Sequence, residues 1–146
     1  MSKACGGSDG ERGCGYNIRM DPEKKYHITV SAKAFYVEDQ SDPQKNHYVF
    51  GYTIRVVNTG TVEAKLMSRH WVITDSNHRI EEVRGLGVVG QQPALAPGQA
   101  FEYTSGCPLA TPVGTMRGEY QMTAADGVQF EVPIPEFTLS VPRVLH

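Results

Sequence analysis

Tyr48-Val49-Phe50-Gly51-Tyr52-Thr53-Ile54-Arg55-Val56 is the stretch whose reading decides the fold. Tyr48, Phe50, Tyr52, Ile54 and Val56 recur at every second position, with Thr53 and Arg55 between them, which is the period of a β-strand with one face in a core. The same period runs before it, where Ile28, Val30, Ala32 and Ala34 alternate with His27, Thr29, Ser31 and Lys33. The polar residues 39–46 between these strands, with Pro43, Asn46 and two aspartates, read as a loop.

Downstream, Asn58-Thr59-Gly60 supplies a turn, and Ala64 to Thr74 predicts a third strand. Strict alternation puts Met67, Arg69, Trp71 and Ile73 on one of its faces and Leu66, Ser68, His70 and Val72 on the other. After the turn Asp75-Ser76-Asn77, residues 78–84 (HRIEEVR) predict a short polar edge strand. Pro97-Gly98 fits a type II turn, and Gln99 to Ser105 alternates Phe101 and Tyr103 with Glu102 and Thr104. A loop rich in breakers is expected over residues 106–114. Met116, Gly118, Tyr120 and Met122 then share a strand face, Asp126-Gly127 predicts a hairpin, and Val128, Phe130, Val132 and Ile134 return. Pro133 and Pro135 place that last strand at an edge, since neither donates a ladder hydrogen bond, and Phe137, Leu139 and Val141 resume past them.

No segment carries an apolar i, i+3, i+4, i+7 pattern, and no internal repeat is evident. The chain therefore reads as all-β, an antiparallel β-sandwich of immunoglobulin-like or fibronectin type III-like kind. The fibronectin-like variant is favoured because the paired cysteines of an antibody domain are missing. Trp71 and Tyr120 stand where such sandwiches bury aromatic residues.

Composition narrows the function classes. The 146 residues suit one domain, expected over residues 26–146, with the Gly-, Ser- and charge-rich residues 1–25 as a flexible tail. Lys+Arg 14 against Asp+Glu 16 gives net charge -2, without the cationic field of a nucleic-acid binder. No apolar run approaches the ~18 residues of a membrane span, and no secretory signal is evident, so a cytoplasmic protein is expected. Cys5, Cys14 and Cys107 are an odd set without metal-ligand spacing, so neither disulfides, nor a metal, nor a cofactor is expected.

Between the polar edge strand and Pro97 lies Val83 to Pro97, VRGLGVVGQQPALAP. Gly85, Gly87 and Gly90 spell G-x-G-x-x-G, yet a dinucleotide fingerprint needs a buried strand before it, a helix after it and an acidic residue about 20 positions on. Ser105 occupies that last position, and Gln91-Gln92-Pro93 blocks a helix. Two readings stand: an inter-sheet crossover whose glycines let Val88 and Val89 tuck inward, or a nest of amides binding an anion with help from Arg84. Elsewhere, His70, Asp75 and His78 lack paired metal-ligand spacing. Ser105 and Cys107 lack a neighbouring histidine, and Glu81-Glu82 read as solvated edge charges.

The run from Gly85 to Met122 (GLGVVGQQPALAPGQAFEYTSGCPLATPVGTMRGEYQM), extended by RHWVITD at residues 69–75 and by the I-P-x-F ending at residues 134–137, closely resembles the bacterial ApaG family, also labelled CorD. The resemblance implies a fibronectin type III-like sandwich. It further implies association with cobalt and magnesium resistance or efflux and, through diadenosine tetraphosphate hydrolysis, with nucleotides, without naming an enzyme. Related domains end eukaryotic F-box proteins and a polymerase-delta-interacting protein, which implies a protein-interaction module. A protein partner is therefore expected, with the oligomeric state open and a homodimer included. The family's glycine loop has been likened to a pyrophosphate site, and the matching positions are Gly85, Gly87 and Gly90; Arg84 and Arg69 join them as candidate anion-binding residues by their charge.

Overall fold

The computed structural model describes residues 25–142. The expected tail, with Cys5 and Cys14, lies outside the described residues apart from Lys25. Eight strands follow in order: β1 (Ile28–Tyr36), β2 (Tyr48–Asn58), β3 (Ala64–Asp75), β4 (Ile80–Leu86), β5 (Ala94–Leu95), β6 (Ala100–Leu109), β7 (Val113–Ala124) and β8 (Gln129–Ser140). They form two antiparallel sheets, β1-β2-β6 and β4-β3-β7-β8, with β5 extending the β4 side of β3. This is the expected immunoglobulin-like β-sandwich. The connection between β1 and β2, which includes the polar residues 39–46, contains two single-turn 3₁₀ segments, Glu38–Gln40 and Pro43–Lys45.

The alternation in β2 works as its spacing requires: Phe50, Ile54 and Val56 are fully buried and Tyr52 nearly so. They meet Trp71 from β3 and Met116, Tyr120 and Met122 from β7, all buried. Tyr52, Trp71 and Phe137 make mutual ring contacts at 5.5–5.9 Å between centroids, worth about 0.5–1.5 kcal/mol per pair beyond burial. The Tyr103 and Tyr120 hydroxyls bond each other inside the core, one donating and the other accepting, which gives both buried oxygens a polar partner.

Three details differ from the alternation read in the sequence. In β3 a bulge at Met67 shifts the register against β7 between Leu66 and Ser68. The extra residue reverses the facing, so Leu66 (0 % exposed) and Trp71 (2 % exposed) both point inward, whereas strict period two puts them on opposite faces. Strand β6 does not stop at Ser105 but runs through Pro108 to Leu109. Pro108 is tolerated because β6 pairs with β2 alone and lies at a sheet edge. Finally, residues 83–97 are not themselves the crossover: β4 and β5 both pair with β3, and the chain changes sheets only after Leu95, through the Pro97-Gly98 turn.

Asn58 locks that change of sheet. Its buried side chain donates to the carbonyls of Val62 (2.9 Å) and Leu95 (2.8 Å), and its Oδ1 accepts the Gly60 N–H. Its backbone N–H donates to Gln99 O, and its carbonyl accepts from Gly98 N–H. One residue thereby ties the β2–β3 turn to β5 and to the crossover. Asn58→Ala leaves Gly60 N–H and two carbonyls without these partners, and should cost roughly 3 kcal/mol. Thermal unfolding should register this as a drop in melting temperature of roughly 10 °C.

Candidate functional site

The glycine stretch folds as an excursion between β4 and β5. Val88 N–H donates to Gln91 O and Gln91 N–H to Val88 O, both at 2.8 Å, enclosing Val89 (φ +42°) and Gly90 (φ +78°). Positive φ at both central residues makes this a type I′ two-residue turn. Its geometry splits the two valines: Val88 is fully buried in the core, while Val89 stays 49 % exposed rather than tucking in.

The loop is held down by β3. The carbonyl of the bulged Met67 accepts the Gly87 N–H (2.8 Å) and the Gln92 side-chain amide (2.9 Å). Arg69 Nη1 donates to the carbonyls of Gly87 (2.7 Å) and Leu86 (3.1 Å). Gly85 faces Arg69 in the ladder, and a Cβ there would lie 2.8–2.9 Å from the guanidinium, so glycine leaves the lane that Arg69 crosses. Gly87 combines φ +60° with a would-be Cβ 2.1 Å from Gln91 O, which excludes other residues in this conformation.

The structure thus brings Arg69, Gly85 and Gly87 into one hydrogen-bonded unit and places Gly90 at the turn tip. Arg84 does not join them. It lies on the outer face, 71 % exposed, 3.4 Å from Glu82. The amides of Gly87, Val88 and Gln91 are used inside the protein, and the Arg69 guanidinium is turned toward carbonyls.

Beneath the turn, between the sheets on the β4–β6 side, lies a cavity of about 320 Å³. Trp71, Val83, Val88 and Met116 supply apolar wall, and Val89 and Gly90 form part of its rim. Tyr52, Tyr103, Ser105, Cys107, Arg69 and Glu81 supply the polar groups. The sequence hint to this cavity was the placement of Tyr52 and Tyr103 at core-facing positions, where each hydroxyl needs a polar destination. Burial raises the pKa of the Tyr52 hydroxyl and pushes that of Tyr103 up to about 12. Burial, with Glu81 adding, pushes the Cys107 thiol up to about 11. A thiol so protonated is a poor nucleophile, and no histidine lines the cavity.

The other candidates do not converge. Asp75 Oδ1 accepts the N–H groups of Asn77 and Arg79, both at 2.9 Å, and His78 sits in that turn at φ +62°. His70 lies on the outer face of the larger sheet, with Nδ1 3.0 Å from Glu119 and Nε2 2.8 Å from Glu82. The two ring nitrogens point apart, so these carboxylates cannot share an ion with the imidazole. Among the described residues no group of three His, Cys, Asp or Glu is arranged to hold a metal, and no helix is long and apolar enough to cross a membrane.

The model of the ApaG domain family matches residues 38–124. The chain is similar to Protein ApaG of Bordetella pertussis, with 60% identity over 128 residues that cover 88% of this chain and 98% of the relative. It is equally similar to Protein ApaG of Thiobacillus denitrificans, with 60% identity over 127 residues, 87% of this chain and all of the relative. A crystal structure of a Bordetella pertussis protein named ApaA superposes with a TM-score of 0.81 at 58% identity, covering 86% of this chain and all of that one.

The His70 cluster generates a pH prediction. Hydrogen bonds to Glu119 first and Glu82 second raise the imidazole pKa above 6.5, and the bond to His70 lowers that of Glu82 below 4.5. A raised His pKa contributes stability that is complete below 6.5 and lost as pH rises through the folded value. A lowered Glu pKa contributes stability present above 4.5 and lost as pH falls through the folded value. The cluster should therefore stabilise most between about pH 4.5 and 6.5. Titration of the His70 ring by NMR should give a midpoint above 6.5, lowered by Glu82→Gln and lowered further by Glu119→Gln.

Proposed function

The chain belongs to the ApaG domain family, and we propose that it works in the cytoplasm as a non-enzymatic binding module, engaging a protein partner through the glycine loop and the cavity beneath it. The observation that carries this reading is Val89, a β-branched residue held at φ +42° with its side chain half exposed on the cavity rim. A β-branched residue with positive φ is strained, and such strain gathers at ligand clamps and binding sites. An apolar tip beside a cavity walled by Trp71, Val83 and Met116 suits an apolar partner side chain flanked by backbone contacts. The protonated Cys107 thiol, with no histidine on the cavity wall to activate it, supports a non-enzymatic role. Any part in cobalt or magnesium resistance would then be exerted through that partner.

A second reading, nucleotide or pyrophosphate sensing, draws support from a shallow outer depression lined by Arg69, His70, Arg84 and Gly85. There the exposed Arg84 would meet the phosphates. The two readings make opposite predictions. Val89→Asp, which also puts a charge on the rim, should abolish capture of the partner from native cytoplasm while leaving the melting temperature within a few degrees. Capture unchanged by Val89→Asp would end the first reading. Calorimetry with ATP and diadenosine tetraphosphate, with and without magnesium or cobalt, should give no heat on the first reading. On the second it should give binding that Arg84→Ala weakens by roughly tenfold.

A further inference from the structure

The four long edge strands of the sandwich are not alike. β1 carries Lys33, β6 carries Pro108 and β8 carries Pro133 and Pro135, which are residues that blunt an edge against further pairing. Strand β4, Ile80–Leu86, carries neither Lys nor Pro, and among the described residues it pairs with β3 alone.

Its hydrogen-bonding directions follow from the ladder. Asp75 N–H donates to Arg79 O, and Gly87 N–H to Met67 O, at the two ends of a register in which Trp71 faces Val83. In an antiparallel pair these directions alternate along the strand. The odd-numbered residues of β4 therefore spend their backbone groups on β3, and Ile80, Glu82 and Arg84 direct N–H and C=O outward, as Leu86 does its N–H, while the Leu86 carbonyl already accepts from Arg69 Nη1. The side chains of these same four lie on the outer face: Glu82 reaches His70 there, and Ile80 and Leu86 are 62 % and 78 % exposed.

We propose that β4 pairs antiparallel with β4 of a second copy about a two-fold axis at Val83, joining the two larger sheets into one. In that register Glu82 stands opposite Arg84 of the second copy and Arg84 opposite its Glu82, while Ile80 meets Leu86 and Leu86 meets Ile80. The two Glu82–Arg84 pairs each exchange both of their hydrogen bonds through outward-directed groups, and each Ile80–Leu86 pair gains the bond from Leu86 N–H to the Ile80 carbonyl, the Leu86 carbonyl being held by Arg69. Moving the axis by one residue either way sets Glu82 against Glu82 or Arg84 against Arg84, and like charges directly opposite oppose pairing. The strand is thus self-complementary in hydrogen bonding, charge and apolar contact at one register, as an isologous interface requires. The inference is separate from the loop reading, because the Val89 turn lies outside β4.

Sedimentation equilibrium of the full chain over a concentration series tests it. The wild-type chain should reach the dimer mass, and Arg84→Glu and Glu82→Arg should each weaken the dimer by roughly tenfold or more, since each replaces two attractive pairs by two repulsive ones. An equimolar mixture of the two variants should regain the dimer, because opposite charges again face each other across the junction. Leu86→Lys, which alters neither charge, should also dissociate it and keeps the test decisive if Glu82→Arg fails to fold. A wild-type chain that stays monomeric, a dimer indifferent to Arg84→Glu and Leu86→Lys, or folded charge variants that do not recombine would each overturn the proposal. Retained Val89-dependent capture by the Arg84→Glu monomer would show that the loop reading stands apart from it.

Discussion

The bulge at Met67 is the constraint from which the rest of the site follows. One extra residue in β3 turns its two halves so that Leu66 and Trp71 both enter the core. The same irregularity frees the Met67 carbonyl from the β7 ladder and offers it to Gly87 and Gln92. Packing of the sandwich and anchorage of the loop thus come from a single backbone event. Bulges commonly re-aim a strand where a site is built, and here the re-aimed group is a carbonyl.

Anchored in this way, the glycine stretch is a rigid platform. Its spacing suggests a cradle of free amides, but Arg69 Nη1 donates to two of the loop's carbonyls while the loop's own amides at Val88 and Gln91 close the turn. The glycines answer to local demands: room for the guanidinium at Gly85, and a left-handed backbone pressed against Gln91 at Gly87. What the loop offers outward is apolar, with Val88 sealing the core and Val89 exposed above the cavity. Asn58 secures the far end of the excursion by bonding Leu95 as the chain leaves for the other sheet.

Charge is distributed in the same economical manner. The larger sheet gathers Glu82, His70 and Glu119 into a row on its outer face, and Arg84 extends it to the free edge. The cavity face holds Arg69 and Glu81 among tyrosine hydroxyls. The two faces of β4 therefore carry different chemistry from one alternating sequence, Glu81 and Val83 inward, Glu82 and Arg84 outward.

Fold class was written in the chain. Period-two alternation around Phe50, Ile54, Trp71 and Tyr120, with Asp126-Gly127 and Pro97-Gly98 turns, leaves an antiparallel sandwich as the way to bury those faces. Glycine spacing likewise singled out Gly85, Gly87 and Gly90, and the resemblance of residues 85–122 identified the family. Only the tertiary structure decided which side of the core Leu66 takes, how far β6 runs past Pro108, and that Val88 is buried while Val89 is not. It alone assembled the cavity from Tyr52, Arg69, Val83 and Tyr103, residues far apart in the chain. The reason is physical. Alternation is a local consequence of strand geometry, but a bulge, a left-handed valine and a shared cavity depend on hydrogen bonds and packing across strands, which leave no period in the sequence.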